Sequence, residues 1–331
     1  MKKKGKLVDI HTREIYPAEI SIVNGIINRI QRINESLDVY IVPGFIDSHV
    51  HIESSMVTPG SFAVAAVSRG TTGVVSDPHE IANVLGIEGV KFMIDDAKKV
   101  PLRFFFGAPS CVPATSFETA GGVISPLNLE ELLAMEEIKY LSEMMNFPGV
   151  VFDDAEVLGK LKIAAKYNKP VDGHAPALRG DHLKKYISAG ITTDHECTSL
   201  DEALEKISFG MKILIREGSA ARNLDALKLL LKMHPGKVML CTDDIHPEML
   251  AERHINKIVS HLINDGFDIF DTIRSCTINP ALHYNLETGL LKPGDPADFL
   301  ITENLCSMDI KETWINGKKV YGSGTVNFEY H

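Results

Sequence analysis

The sequence predicts an α/β fold: a (β/α)₈ barrel of the TIM type with a small β-sandwich domain formed by the N- and C-terminal segments. Three observations carry that prediction. Eight apolar, β-branched runs recur between residues 41 and 242, with helically spaced segments between them. Both ends of the chain are instead made of short extended runs separated by turn residues. No GxGxxG or GxxxxGK[ST] loop occurs, although a doubly wound open sheet, the competing architecture, usually needs one.

At the N-terminus the extended runs are 6–10, 14–23 around Pro17, and 26–33, with Gly25 as the turn between the last two. The tail has the same texture: 298–302, 310–315, a turn at Asn316-Gly317, and 319–321. Asn-Gly between two extended runs is a strong hairpin signal, because both turn residues adopt positive φ easily. Residues 1–40 plus 290–331 are therefore expected to form one β-domain, and residues 41–289 the catalytic barrel. The barrel runs are 41–52, 71–76, 102–106, 140–145, 169–173, 191–194, 211–215 and 238–242. Amphipathic segments lie at 130–137, 155–167, 180–189, 199–208, 220–233 and 248–262. The charges from Asp201 to Lys206 and from Glu248 to Arg253 are expected to face solvent. Short buried strands alternating with helices imply a parallel sheet, and eight of them fit a closed barrel.

Composition narrows the function classes. At 331 residues the chain suits one large catalytic domain with a minor appendage. A net charge of −10 leaves no basic surface for a phosphate backbone, which excludes nucleic acid as the expected partner. The one basic run, Lys2-Lys3-Lys4 with Lys6, is expected to be a solvated terminus. Five cysteines (Cys111, Cys197, Cys241, Cys276 and Cys306) are widely spaced without a CxxC pair, which favours reduced thiols and a cytoplasmic setting. No apolar run of membrane-spanning length and no signal-type h-region is present, so neither a membrane nor export is expected.

The histidines fall where barrel strands end. His49 and His51 close the first run, His79 follows the second, His174 ends the fifth and His195 the sixth, while Asp243 and Asp244 end the eighth. Strand C-termini form the catalytic face of such a barrel. His49 and His51 are two apart on a strand, so both project to the barrel interior. Two imidazoles there need partners, either each other and neighbouring hydrogen-bonding groups or a metal ion. An HxH pair alone does not choose between these, but recurrence at four strand ends points to metal. Four histidines and an aspartate exceed what one tetrahedral cation needs. They suit two divalent ions sharing an anionic bridge. Glu143, at the fourth run, is the expected bridge, its alternative being an exposed acid at a helix start. A carboxylated lysine is the other conceivable bridge, but Lys139 precedes the strand and Lys160 and Lys162 fit a helix. Two such metals lower the pKa of a shared water to roughly 7. Asp243 is expected to accept its proton, with Asp244 in an outer position or in exchange with it.

The string Pro43-Gly-Phe-Ile-Asp-Ser-His-Val-His51 resembles the signature of the amidohydrolase superfamily. Longer strings are similar to the bacterial and archaeal adenine deaminase family within it. They include His51-Ile-Glu-Ser-Ser-Met56, Ser76-Asp-Pro-His-Glu-Ile-Ala-Asn-Val-Leu-Gly86 and Glu143-Met-Met-Asn-Phe-Pro-Gly149. The others are Asp172-Gly-His-Ala-Pro176, Ile215-Arg-Glu-Gly-Ser-Ala-Ala-Arg-Asn223 and Cys241-Thr-Asp-Asp244. The resemblance implies hydrolysis of adenine to hypoxanthine and ammonia on two divalent ions, commonly iron or manganese, although zinc suits the same ligands. It implies His49, His51 and Asp243 on one metal, His174 and His195 on the other, and Glu143 between them. Glu143 would then deliver a proton to N1 and Asp243 would take the proton of the attacking water. It puts His79 and Asp77 in the substrate pocket, where His79 is otherwise a satisfied loop histidine. Arg216, Glu217, Ser219 and Arg222 either contact the purine or stabilise a loop, and Cys197 and Cys241 are expected in packing. Members of the family usually continue past the hairpin at 314–321 into a further C-terminal domain. The chain ends at His331 and is expected to be a short form without it. A homo-oligomer, taken as a dimer, is expected. A related amidohydrolase acting on another amino-purine, a cyclic amide or an N-acyl bond would use the same residues. A non-catalytic barrel is disfavoured by the complete ligand set.

Overall fold

The computed structural model describes residues 1–115 and 117–330. Strand β1 (Lys2–Asp9) pairs antiparallel with β2 (Glu14–Val23), which pairs with β3 (Ile26–Arg32). The basic run is not a loose terminus. It lies within β1, and its ammonium groups pair with Glu19 (2.6 Å), Glu312 (2.9 Å) and Glu35 (2.6 Å) on neighbouring segments. On the other side of β1 runs β4 (Tyr40–Pro43), in parallel.

The apolar run 41–52, expected as one strand, is two. After β4 the chain breaks at Gly44 and enters the barrel as β5 (Phe45–His51). A Cβ at Gly44 would stand 2.2 Å from Thr72 Oγ1, so only glycine lets the backbone pass between the two sheets here.

The remaining barrel strands follow the expected runs. From β5 the order is β6 (Thr71–Ser76), β7 (Arg103–Ala108), β8 (Ile138–Met144) and β9 (Val171–Gly173), each parallel to the last. A bridge from Val171 to Ile191 leads to β10 (Thr193–Asp194), then β11 (Lys212–Arg216) and β12 (Val238–Cys241). The two-residue strand β13 (Asp243–Asp244) pairs with Val50 and His51 of β5 and closes the ring. Ile46, Val75, Phe105, Tyr140, Leu214 and Met239 pack inside it, so the barrel is a filled core rather than a channel.

The helices depart from the expected pattern in three places. Segment 220–233 is two single turns, Leu224–Leu227 and Leu230–Met233. Segment 248–262 is broken at Arg253-His254 into Pro247–Glu252 and Ile255–Asn264, because the His254 side chain is drawn inward to Thr71 Oγ1 at 2.6 Å. Lys206, expected in solvent, is fully buried with Glu202, on the face that carries Ala203 and Ile207. Helical spacing alone gives no sign of a charge on the inner face. Helices Pro59–Ser68, His79–Leu85 and Ile87–Ala97, not singled out by spacing, follow β5 and β6.

The chain then returns to the first sheet. Strand β14 (Phe299–Thr302) lies antiparallel to β4, followed by β15 (Ile310–Ile315), β16 (Lys318–Gly322) and β17 (Thr325–Val326). Asn316 and Gly317 have φ of 49° and 69°, as the expected hairpin requires. N- and C-terminal strands thus share one eight-stranded sheet, with Leu7, Ile20, Ile41, Phe299 and Trp314 in its core. Among the described residues no helix is long and apolar enough to cross a membrane.

Candidate metal centre

His49 and His51, two apart on β5, share one face beyond a register irregularity between Asp47 and Val50, and Asp47, His49 and His51 are all buried. His49 Nε2 and His51 Nε2 stand 3.1 Å apart, and Asp243 Oδ1 is 3.5 Å from the first and 3.3 Å from the second. Two imidazole nitrogens and a carboxylate oxygen facing one another need a proton or a cation among them. Donors about 2.0–2.2 Å from a common cation sit roughly 3–3.5 Å apart, so the spacing fits a metal.

Glu143 is buried on β8 and is not an exposed acid at a helix start. Its Oε2 lies 2.7 Å from His174 Nδ1 and 3.1 Å from His195 Nε2. Its Oε1 faces the other side, 3.7 Å from His51 Nε2 and 3.5 Å from His79 Nδ1. One carboxylate therefore addresses two sets of imidazoles. The rings of His49 and His195 stack with centroids 4.5 Å apart, so the two sets adjoin. Ligand atoms of His49, His195 and Asp243, and those of Glu143, His174 and His195, lie within 4.8 Å of one another.

The electrostatics follow from this crowding. Burial works to raise the Asp243 carboxyl, but bonds from His49 and His51 hold it far below its ordinary range. Burial opposes ionisation of Glu143 too, and His174 and His195 hold it well below the usual carboxylate value. Burial would lower the pKa of His79, but Asp77, 3.0 Å away, pushes it up to about 9. Asp243 also adopts a left-handed backbone, φ 57°, rare for a residue with a side chain and concentrated at functional sites.

Behind the His49 side stands Asp47. It accepts from Thr242 N at 3.0 Å, from the Thr242 hydroxyl at 2.5 Å and from His49 N at 3.4 Å, and it meets His254 Nε2 at 3.0 Å. This ties β5, which carries His49 and His51, to Thr242, the residue between β12 and the Asp243 of β13.

The other expected residues separate into two groups. A pocket of about 200 Å³ over the cluster is lined by His79, Arg216 and Asp244 as well as by His51, Glu143, His174, His195 and Asp243. Asp77 is buried beneath it and accepts from Ser142 Oγ at 2.8 Å. Arg216 Nη1 donates to Asp243 Oδ2 at 2.8 Å, and the guanidinium also grips Glu196, so it is largely committed to protein acceptors. Asp244 lines the same pocket and accepts from Ser54 Oγ at 2.5 Å. Glu217 is not brought to the cluster: strand alternation after Arg216 turns it into a separate cavity beside Arg253 and Lys257. Ser219 and Arg222 hold the loop, Ser219 N donating to Asp244 O at 2.7 Å and Arg222 Nε to Gly218 O at 2.9 Å. Cys241 is buried in apolar packing, and Cys197, also buried, donates its thiol to Asp194 Oδ2 at 3.2 Å.

Sequence reasoning missed Glu80 and Glu196, which also line the pocket. Glu80 Oε1 is 3.2 Å from His51 Nδ1, and Glu196 Oε1 is 3.5 Å from His195 Nε2. Each directly follows a pocket histidine in the sequence, and that adjacency was the available signal.

A family model described as the amidohydrolase family matches residues 40–320. The chain belongs to this family. Amidohydrolase membership implies divalent cations, and the His, Asp and Glu clusters at the strand ends supply ligands for them. Two relatives, both named adenine deaminase, are 53% identical to this amidohydrolase. One, from Sulfurovum sp., aligns over 97% of this chain and 60% of its own length. The other, from Methanosarcina mazei, aligns over 99% and 60%. The chain thus spans about 60% of the length of these relatives. A solved β-aspartyl dipeptidase from Fervidobacterium islandicum AW-1 matches with TM-score 0.73 at 13% identity, covering 99% of this chain and 98% of that one. At that identity the likeness shows the fold alone.

Proposed function

We propose that this amidohydrolase converts adenine and water to hypoxanthine and ammonia, using two divalent cations held by His49, His51, Glu143, His174, His195 and Asp243. The observation that carries the reading is the Glu143 carboxylate, whose two oxygens face two separate sets of imidazoles. The relatives named adenine deaminase, similar over nearly the whole of this chain, supply the substrate. When bound, the cations supply a water ionised near neutral pH and polarise the bond under attack. Manganese or iron is the expected pair, with zinc compatible with the same ligands.

The chain's own groups move the protons. In the reaction a C6–O bond forms and the C6–N bond to the exocyclic amine breaks. Asp243, held ionised by its imidazole neighbours, takes the proton of the attacking water and passes it to the departing amine. Glu143, ionised between His174 and His195, takes the other proton of that water and delivers it to N1, and His79, cationic beside Asp77, lines the purine pocket. Arg216 holds the Asp243 carboxylate in place rather than reading the substrate. In this reading residues 41–289 form the catalytic unit, and 1–40 with 290–331 the β-domain that carries it. A homodimer in the cytoplasm is the expected setting, the latter on five unpaired thiols.

Ammonia release from a panel of purines and cyclic amides, measured with metal content before and after His49→Ala, tests this reading. We expect adenine to be the best substrate, about two ions per chain, and loss of turnover with at least one ion in the variant. Unchanged turnover in His49→Ala would overturn it.

A further inference from the structure

Lys206 lies on the helix Leu200–Ser208 after β10, and its side chain is wholly buried. Lysine is almost never found so deep unless its charge is fully paired. Here each ammonium proton has an acceptor: Ala175 O at 2.7 Å, Glu202 Oε1 at 2.7 Å and Asp194 Oδ2 at 3.0 Å. Asp194, Cys197 and Glu202 bring their donor atoms as close as metal ligands would, and the ammonium takes the place of a cation among them.

The two carboxylates are in turn filled by backbone N–H groups. Asp194 accepts from Ala175 (2.8 Å) and Glu196 (3.0 Å), and Glu202 accepts from Ala177 (3.0 Å) and Thr198 (3.4 Å). Several of these groups flank a ligand directly. Ala175 follows His174, while Asp194 and Glu196 bracket His195. These bonds join β10 and the loops after β9 and β10 to one helix, and none of them involves β5. On the opposite side, Asp47 and His254 tie β5 to β12.

We propose that Lys206 is a positioning residue that sets the His174–His195 half of the cation site and leaves the His49–His51–Asp243 half untouched. This rests on the two-cation reading above. Removing the ammonium leaves two buried carboxylates to repel each other, which loosens the backbone on both sides of His195 and after His174. The effect on a cation held by those two imidazoles is that of losing an outer hydrogen-bonding partner, about 10–100-fold in affinity.

The test titrates the metal-free 331-residue chain with Mn²⁺ and follows heat and bound metal together. The parent is expected to show two binding events. Lys206→Met is expected to keep one of them within about threefold of the parent and to weaken the other by about 10–100-fold. Should Lys206→Met fail to fold, Glu202→Gln preserves shape and the Lys206–Asp194 pair. It is expected to weaken the same event by about tenfold, at the low end of the range. His254→Asn serves as the mirror variant and is expected to weaken the event that Lys206→Met spares. Equal weakening of both events in the Lys206 or Glu202 variant, or of neither, overturns the proposal while the two-cation reading stands. A parent that takes up fewer than two Mn²⁺ ions removes that reading, and this inference with it.

Discussion

Two buried networks stand behind the two sides of the site, and they are built differently. Behind His49, His51 and Asp243, one carboxylate, Asp47, accepts from two backbone N–H groups and a hydroxyl and stands 3.0 Å from an imidazole. Behind His174 and His195, an ammonium is held between two carboxylates, with four backbone N–H groups completing their shells. The first arrangement loses a single contact when one partner is removed. The second loses the charge that makes the other two tolerable. Equal geometric precision is therefore bought with unequal vulnerability.

That contrast can be broken or sharpened experimentally. The largest change is expected at the carboxylate beside the Asp47 network. Asp243→Asn should cut adenine turnover by about 10²–10⁴-fold, the usual worth of a placed proton acceptor. Steady-state kinetics showing less than about a tenfold loss would remove Asp243 from that role. Next comes Lys206→Met, expected to lower unfolding free energy by about 3–5 kcal/mol in urea titrations, because it strands buried charge. Chelation should cost the parent about 2.7 kcal/mol for each cation site held at a hundredfold excess over its Kd, and less in the Lys206→Met protein. Comparing melting curves with and without chelator reads that difference. His254→Asn, which removes one contact to a charged group, should lose only about 1.5–3 kcal/mol. A larger loss there than in Lys206→Met would reverse the comparison. The smallest effect is expected from Thr71→Val, about 0.5–1.5 kcal/mol, since it deletes only the neutral hydroxyl against His254.

What the sequence revealed, and what it hid, divides along physical lines. The barrel was legible because β-branched runs repeat with helical segments between them, and each expected run contains a barrel strand, although the first also takes in β4 of the other sheet. His49, His51, His174, His195 and Glu143 were legible because strand ends are where such a barrel gathers polar groups. Lys206 and His254 were not, since nothing in an amphipathic stretch marks which charge faces inward or where a buried imidazole will break a helix. The break at Gly44 was hidden for a related reason. Its cause, the approach of Thr72, lies across the sheet rather than along the chain. Glu217 misled because its neighbour Arg216 does reach the pocket, and alternation sends successive strand residues opposite ways.

The pairing of β14 with β4 has a consequence for how the protein is made. The segment that leads straight into the histidine-bearing strand keeps one edge open until residues 299–302 leave the ribosome. At about 5–20 residues per second, that wait lasts tens of seconds. Meanwhile an apolar backbone edge is available to any passing partner. The nascent chain therefore needs this edge shielded until the eight-stranded sheet is complete.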